Sequence, residues 1–330
     1  MEIRRLDPHD ATAAAGWYEA FRSGGVADRE APTFFAAESV LGPLRDNETR
    51  HAYGAWAGDT CLGAALLHLE KPPNMHLAEI ELNVPPAYRN RGVGGALFDT
   101  AIGVAADDGR TRCSTELNVP RAYTLDSHPG GRFALARGFT SVLSEQRYLL
   151  DLPFDEAGLA VLSRSATTGY TVESWTGPVT AARADVFAQM RTQMERDVPA
   201  GERDHEPPTF DADRVLSGDA ATAARGWGLV TTLVLDPAGA PVGYTRIYVN
   251  ADGVHAQQDD TFVLRAHRGH RLGTLAKATN MRQLAAQHPT VRHLHSWTAD
   301  SNTAMRAINA RFGFRPVEAM HVLEADLSRP

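Results

Sequence analysis

The sequence predicts an α/β (α+β) protein of two domains, each a mixed central sheet flanked by helices. Three observations carry that reading. The chain has 330 residues, and at roughly 100–200 residues per domain two domains are natural. One plan runs through it twice: strand, amphipathic helix, hairpin, strand, Gly/Arg-rich turn, helix, strand, short helix and a Gly-Phe pair. Within each copy strands alternate with helical patterns, and that order covers a sheet with helices.

The elements follow in chain order. The first copy opens with a strand at 2–6 and an amphipathic stretch at 11–21; the second opens at 170–175 and 179–194. The hairpin AYGAWAGDTCLGAALLHL breaks at Gly58-Asp59, and GLVTTLVLDPAGAPVGYTRIYV breaks at 237–239. Apolar and β-branched runs flanking Gly, Pro and Asp announce hairpins. Strands at 77–84 and 257–264 lead into the two turns. The copies close on RFALARGFTSV and MRAINARFGFRPV. The expected division is 1–152 for the first domain, 153–168 for a linker and 169–330 for the second domain. A repeat this long means duplicated domains, not a solenoid. The acidic, Pro-rich stretch 194–215 has no counterpart in the first copy and reads as a loop or lid beside a site. The following stretch, 215–228, also lacks one.

A formal net charge of −7 favours cationic partners and argues against nucleic acid, whose phosphates need a basic face. Cys61 and Cys113 read as small buried hydrophobes of a reducing compartment, so the cytoplasm is expected. The first residues have no signal-peptide core, and no apolar run reaches membrane-spanning length, so no membrane partner is expected. Thirteen histidines raise a metal question. His293 and His295 share a strand face and His267 and His270 flank the second turn, but none makes His-Glu-x-x-His or a zinc spacing, so no metal is expected. Trp175 and Trp297 read as core or pocket wall.

The turns carry the chemistry. A strand that ends in a Gly-rich turn and opens a helix presents several N–H groups and the positive end of a helix dipole, which together cradle phosphate. The dinucleotide fingerprint is excluded, because Leu97 stands where the third glycine after Gly92 and Gly94 belongs. A Walker loop is excluded for want of Gly-Lys. What both turns share is Arg first and Gly five residues later: Arg89-Asn90-Arg91-Gly92-Val93-Gly94-Gly95 and Arg268-Gly269-His270-Arg271-Leu272-Gly273-Thr274.

That pattern, Arg/Gln-x-x-Gly-x-Gly/Ala after a strand ending in Val-x-Pro, resembles the pyrophosphate loop of the GNAT superfamily of acyl-CoA-dependent N-acyltransferases. The first turn matches throughout, with Val84 and Tyr88; in the second, Arg271 replaces the middle glycine. The tail TADSNTAMRAINARFGF resembles the family's Asn-x-x-Ala…Tyr…Gly-Phe segment at Asn302, Met305, Asn309, Gly313 and Phe314. Both halves are covered, so the chain resembles tandem GNAT proteins of the kind common in actinobacteria.

The resemblance implies acetyl-CoA as cosubstrate. Its pyrophosphate is expected on 89–95 and 268–274 and its pantetheine arm between two central strands, near Val84 and Val263, with Asn302 nearby. The acceptor amine must be neutral to attack. For a lysine-like amine that handicap is roughly 4–5 kcal/mol at pH 7. Glu79, Glu81, Asp260 and its neighbour Asp259 are the candidate bases. Glu79 and Glu81 share a strand face, and a bulge could alter the parity. The family's thiolate-protonating tyrosine is missing: Asn309 stands there in the second copy and Ala134 in the first. Water, Tyr123, Tyr244 or Tyr248 could substitute, and a thiolate near 8.5 is a tolerable leaving group.

The expected activity is transfer of an acetyl or other short acyl group from its CoA thioester to a primary amine of a small molecule or peptide, by direct attack in a ternary complex. One active and one degenerate copy are common in the family, and the second copy is favoured for chemistry. The alternative is a non-catalytic acyl-CoA-binding sensor or scaffold. A monomer or homodimer is expected.

Overall fold

A computed structural model describes residues 1–46, 48–164 and 168–327. They fall into two compact units that are not contiguous in sequence. The first takes residues 1–145, 200–206 and 318 onward; the second takes 146–199 and 207–317.

In the first unit, β1 (Glu2–Arg5) is followed by α1 (Ala11–Val26), whose start is fixed by Asp10. Its carboxylate accepts the N–H groups of Thr12 and Ala13 at 3.0 Å, two donors the helix cannot satisfy itself. Trp17 and Phe21 of α1 are buried, and Trp17 Nε1 donates to the Tyr53 carbonyl at 2.9 Å. Next come α2 (Ala37–Asp46), β2 (Arg50–Ala57), β3 (Thr60–Leu69) and β4 (Leu77–Asn83). Then α3 (Val93–Asp107) lies on the face of the sheet away from α1. Its Leu97, Ala101 and Ala105 are fully buried with Ala78 and Ile80, and the small side chains let helix and sheet pack closely. The unit continues with β5 (Arg112–Pro120) and α4 (Pro129–Leu135).

β6 (Thr140–Asp151) runs from the first unit into the second. The second unit then repeats the plan. After α5 (Glu156–Arg164) come β7 (Thr171–Thr176), α6 (Ala181–Asp197), α7 (Ala212–Ala224), β8 (Gly228–Leu235), β9 (Pro241–Val249) and β10 (His255–Val263). They are followed by α8 (Leu272–Gln287), β11 (His293–Ala299) and α9 (Thr303–Arg311). The chain's last strand, β12 (Arg315–Asp326), enters the first unit at Glu318 and pairs antiparallel with β5, from Glu318↔Pro120 to Asp326↔Arg112. The sheet order is thus β1-β2-β3-β4-β5-β12 in the first unit. In the second it is β7-β8-β9-β10-β11, with β6 beyond β11.

The expected division gave each copy its own last strand. Here β12 serves the first unit, and β6 from residue 146 serves the second. Residues 153–168, expected as a linker, hold α5, whose Leu159 joins the core under α8 and whose Glu156 pairs with Arg282 at 2.8 Å. Residues 165–167 of that stretch lie outside the described residues, as do 328–330. The stretch after 211 is also helical: α7 occupies the place that α2 holds in the first copy, capped by Asp211, which accepts the Arg214 N–H at 2.8 Å. Among the described residues no helix is long and apolar enough to cross a membrane. Cys61 and Cys113 are free and buried.

Candidate active site

Among the described residues each unit has a parallel pair at its centre, and each pair comes apart. β4 and β5 pair only from Leu77↔Arg112 to Glu79↔Ser114, although β4 runs on to Asn83 and β5 to Pro120. β10 and β11 pair from His255↔His293 to Gln258↔Ser296 and then diverge. Beyond those points each sheet opens into a fork, where backbone N–H and C=O groups lack their ladder partners and can hold an extended ligand.

The Gly/Arg turns sit at the mouths of the forks. Both place left-handed residues at the same two positions: Asn90 (φ 60°) and Gly92 (φ 79°), and Gly269 (φ 88°) and Arg271 (φ 57°). The glycine has changed place, and the backbone course is kept. The first intrahelical bonds are Ala96 N–H to Gly92 O and Leu275 N–H to Arg271 O. The N–H groups of Val93, Gly94 and Gly95, and of Leu272, Gly273 and Thr274, therefore have no acceptor within their helices and form an anion cradle. An added Cβ at Gly92 would meet nothing within 4 Å.

Arg89 and Arg268 brace the turns. Arg89 Nε donates to the Val84 carbonyl at 2.9 Å, and Arg268 Nε donates to the Val263 carbonyl at 2.9 Å. Each also reaches an aspartate near the end of α1 or α6, Asp28 at 3.4 Å or Asp197 at 2.5 Å. Arg91 and Arg271 are exposed, and His270 lies against Tyr170 with ring centroids 5.5 Å apart. Asn302 caps α9, its Oδ1 accepting the Met305 N–H at 3.1 Å.

The carboxylates lie on the fork face that carries α1 in the first unit and α6 in the second. Register through β3 and β4 is unbroken, so Glu79 and Glu81 share that face. Glu79 is exposed, and its carboxylate approaches His68 at 3.8 Å. Glu81 is reached by water but lies in a crowded recess. That crowding, with the charges of Glu116 and Glu79, lifts it to about 7 against the pull of Arg29 and Asn83. Crowding and then Glu79 also raise Glu116, opposed by Arg203 from the 200–206 segment. That segment, part of the expected lid, is tied to the first unit: Arg112 Nε donates to Asp204 at 3.0 Å and the Glu206 N–H donates to Asn74 at 2.9 Å.

In the second unit a bulge falls between Gln258 and Thr261, so that Asp259 and Asp260 together oppose Arg246 of β9. Asp260 is buried and already engaged: Tyr244 Oη donates to its Oδ2 at 2.5 Å, with Arg191 Nε at 3.8 Å. Asp259 is the carboxylate open to water. Crowding and the charge of Asp260 hold it well above the ordinary aspartate range against Arg191 and Arg246. Asp260 stands as far before Arg268 as Glu81 does before Arg89, which favours it by spacing, while the bulge makes Asp259 the counterpart of Glu81 in surroundings. The positions facing α8 change parity between Gln258 and Thr261, from Ala256 to Val263.

Asn309 lies on the opposite face, fully buried. It accepts from Lys277 Nζ at 2.6 Å and donates to Thr298 Oγ1 at 3.1 Å. Tyr244 is spent on Asp260, Tyr248 lies near Arg246 on the α6 side, and Tyr123 is exposed beyond β5. His293 pairs with Asp151 at 2.8 Å, and His295 with Arg147 and His255 at 2.8 and 2.9 Å. His293 and His295 sit within the paired stretch, before the fork opens. Among the described residues, His68, Glu70 and Glu79 form the group whose ligand atoms, within 4.8 Å of one another, could share a cation. A hollow between α1 and α2, lined by Ala11, Ala14, Tyr18 and Leu41, includes no turn or fork residue.

Comparison with known proteins agrees with this geometry. A family model described as the acetyltransferase (GNAT) family matches residues 14–125 and again 190–314, well over half the chain. A curated relative, mycothiol acetyltransferase of Salinispora tropica, is 28% identical over 320 residues, 94% of this chain and 93% of that one. Among solved structures, a tandem GNAT protein from the clavulanic acid biosynthesis pathway superposes with a TM-score of 0.80 at 23% identity, covering 99% of this chain and 98% of that chain. A GCN5-related N-acetyltransferase from Sphaerobacter thermophilus gives 0.67 at 17% identity over 100% and 96%. These two structural likenesses speak for the fold.

Proposed function

The chain belongs to the acetyltransferase (GNAT) family, and from that premise we propose that it moves an acetyl group from acetyl-CoA to a primary amine of a small molecule or peptide, by direct attack in a ternary complex. One observation carries the reading. In each unit a fork between parallel strands has an anion cradle at its mouth and a water-accessible carboxylate of raised pKa on one face. A CoA pyrophosphate fits the cradle, because consecutive N–H groups at a helix start favour a dianion. The pantetheine arm, an extended amide chain, fits the gap between strands.

The carboxylate supplies what the acceptor lacks. An ammonium ion entering on the α1 or α6 side is attracted by Glu81 with Glu79 and Glu116, or by Asp259. Giving up its proton to that group, directly or through water, frees the lone pair for attack on the thioester carbonyl. A carboxylate near 7 is a stronger base than one near 4.5 and is still ionised for much of the time at neutral pH. The acid-rich first fork suits an acceptor with more than one positive charge.

The test is transfer from acetyl-CoA to a panel of mono- and polyamines by wild type, Glu81→Gln, Asp259→Asn and the double variant. We expect the single variant in the working fork to lose about 10²–10⁴-fold in kcat, with acetyl-CoA affinity kept. A double variant as fast as wild type would overturn the assignment. Tight acetyl-CoA binding with no transfer to any amine would favour a sensor.

A further inference from the structure

On the thiol side, three side chains that are apolar in the first fork are polar in the second. Counted from the turns, Lys277 stands where Phe98 does; counted from the Gly-Phe pairs, Asn309 stands where Ala134 does. By strand register Thr298 takes the place of Leu117. In the first unit the side chains at these positions are hydrocarbon, Phe98 lying against Phe133 and Phe139 at centroid distances of 6.0 and 5.9 Å, with the Arg137 guanidinium over the Phe98 and Phe133 rings at 5.3 and 3.6 Å. In the second they form a hydrogen-bonded row, Lys277 Nζ to Asn309 Oδ1 and Asn309 Nδ2 to Thr298 Oγ1. Thr298 lies two residues past Ser296, the last paired residue of β11, so the row ends at the open fork.

Lys277 is 1% exposed and, among the described residues, has no carboxylate partner. Its ammonium is supported by one amide oxygen and by the rings of Phe312 and Phe314, 5.9 and 5.0 Å away. Burial alone pulls its pKa down to about 7, and no charged group on α8, α9 or β11 contributes to that shift. Packing does not require an amine here, since the first unit fills the same place with phenyl rings. The carboxylates of the second fork stand on the other face, so the two proton-carrying groups flank the gap.

We propose that Lys277 is the proton donor to the departing CoA sulfur in the second unit. This rests on the reading that the second fork holds an acyl-CoA. The acceptor nitrogen bonds to the thioester carbonyl carbon and its proton passes to the Asp259 carboxylate. The tetrahedral intermediate then collapses: the C–S bond breaks, its electron pair goes to sulfur, and the Lys277 ammonium delivers a proton there. Water returns a proton to Lys277 and accepts the one on Asp259. The net change is amine plus thioester to amide plus thiol. Asn309 and Thr298 hold the ammonium toward the gap as positioning residues.

CoA itself is the probe, and the ultraviolet absorbance of its thiolate is the readout. The measurement is made in full-length Gly92→Glu protein, where the first cradle is blocked. With Lys277 present, the bound thiol is expected to ionise at least one pH unit lower than in the Lys277→Met variant. That is a tenfold larger thiolate-to-thiol ratio at a fixed pH, with CoA affinity within about threefold. In Lys277→Arg, always charged, thiolate is expected to persist to lower pH than in wild type; this variant carries the test if the Met variant fails to fold. Identical titrations in wild type and in either variant, with CoA bound, would overturn the proposal and leave the acyl-CoA reading standing. No CoA binding by the second fork would overturn both.

Discussion

Arg271 holds a left-handed conformation, φ 57°, that disfavours an L side chain. Its counterpart in the first turn is Gly92, at φ 79°. Replacing Arg271 with glycine removes that strain, and the added freedom of the unfolded chain offsets part of the gain. We expect Arg271→Gly to stabilise the second unit by about 0.5–1 kcal/mol in urea unfolding; a loss would mean that the side chain anchors the turn. Glu81 has a pH signature. Its value in the fold, about 7, lies above the ordinary 4.5, so the folded chain holds this proton more tightly than the unfolded chain does. Its contribution to stability is complete below about pH 4.5 and is lost as pH rises through about 7. Glu81→Gln should therefore be more stable than wild type at pH 8 and no different near pH 4. Lys277 runs the other way. With its value lowered from 10.5 to about 7, it weighs against the fold most below pH 7 and least above 10.5. The stability of Lys277→Met relative to wild type should therefore be highest at pH 6 and fall as pH rises toward 10.5, read by urea unfolding across that range. At this scale the turns were legible, because Gly and Arg spacing is local chemistry. Asp259 was not, because only cross-strand pairing shows that Gln258 and Thr261 bracket a bulge. Lys277 was not, because its burial depends on α9.

Among the elements, the forks matter most, and they were the least visible in the sequence. A strand's pattern shows its two faces but not where its neighbour leaves it. The strands at 77–84 and 257–264 could be read from alternation, whereas the last paired residues, Glu79 and Gln258, could not. α2 and α7 were also missed. α2 does carry a 3.6-residue stripe, Ala37, Val40, Leu41 and Leu44, but Gly42-Pro43 in its interior reads as a break; α7 is largely alanine, with Val215 and Leu216 as its larger apolar side chains, so its stripe is faint. Besides Val215 in the core, α7 is held by a buried ion pair. Asp219 is bidentate to Arg246 of β9 at 2.6 and 3.0 Å, and it also accepts the Val179 N–H at 2.8 Å. Both side chains are almost wholly buried. Asp219→Ala would strand the guanidinium beneath α7 and should cost about 3–5 kcal/mol. Changing both residues to apolar ones of similar size should cost much less. Equal losses for the single and double variants, read by thermal unfolding, would show that α7 is held by something else.

For the whole molecule, the repeat predicted two copies of one plan, and each unit has that plan, down to the fork, the two left-handed turn residues and the bracing arginine. The assignment of last strands was not legible. The strands ending the two copies read alike, and partner choice for β6 and β12 is a property of the assembled sheet. The two copies differ chemically on both faces of the fork: Glu116 in the first stands where Trp297 does in the second, and Phe98 where Lys277 does. The central claim is that both forks are acyl-CoA sites. Calorimetric titration of the intact chain with acetyl-CoA tests it most directly. We expect two sites per chain, with Gly92→Glu and Gly273→Glu each removing one. No heat of binding, or two sites unchanged in both variants, would contradict it.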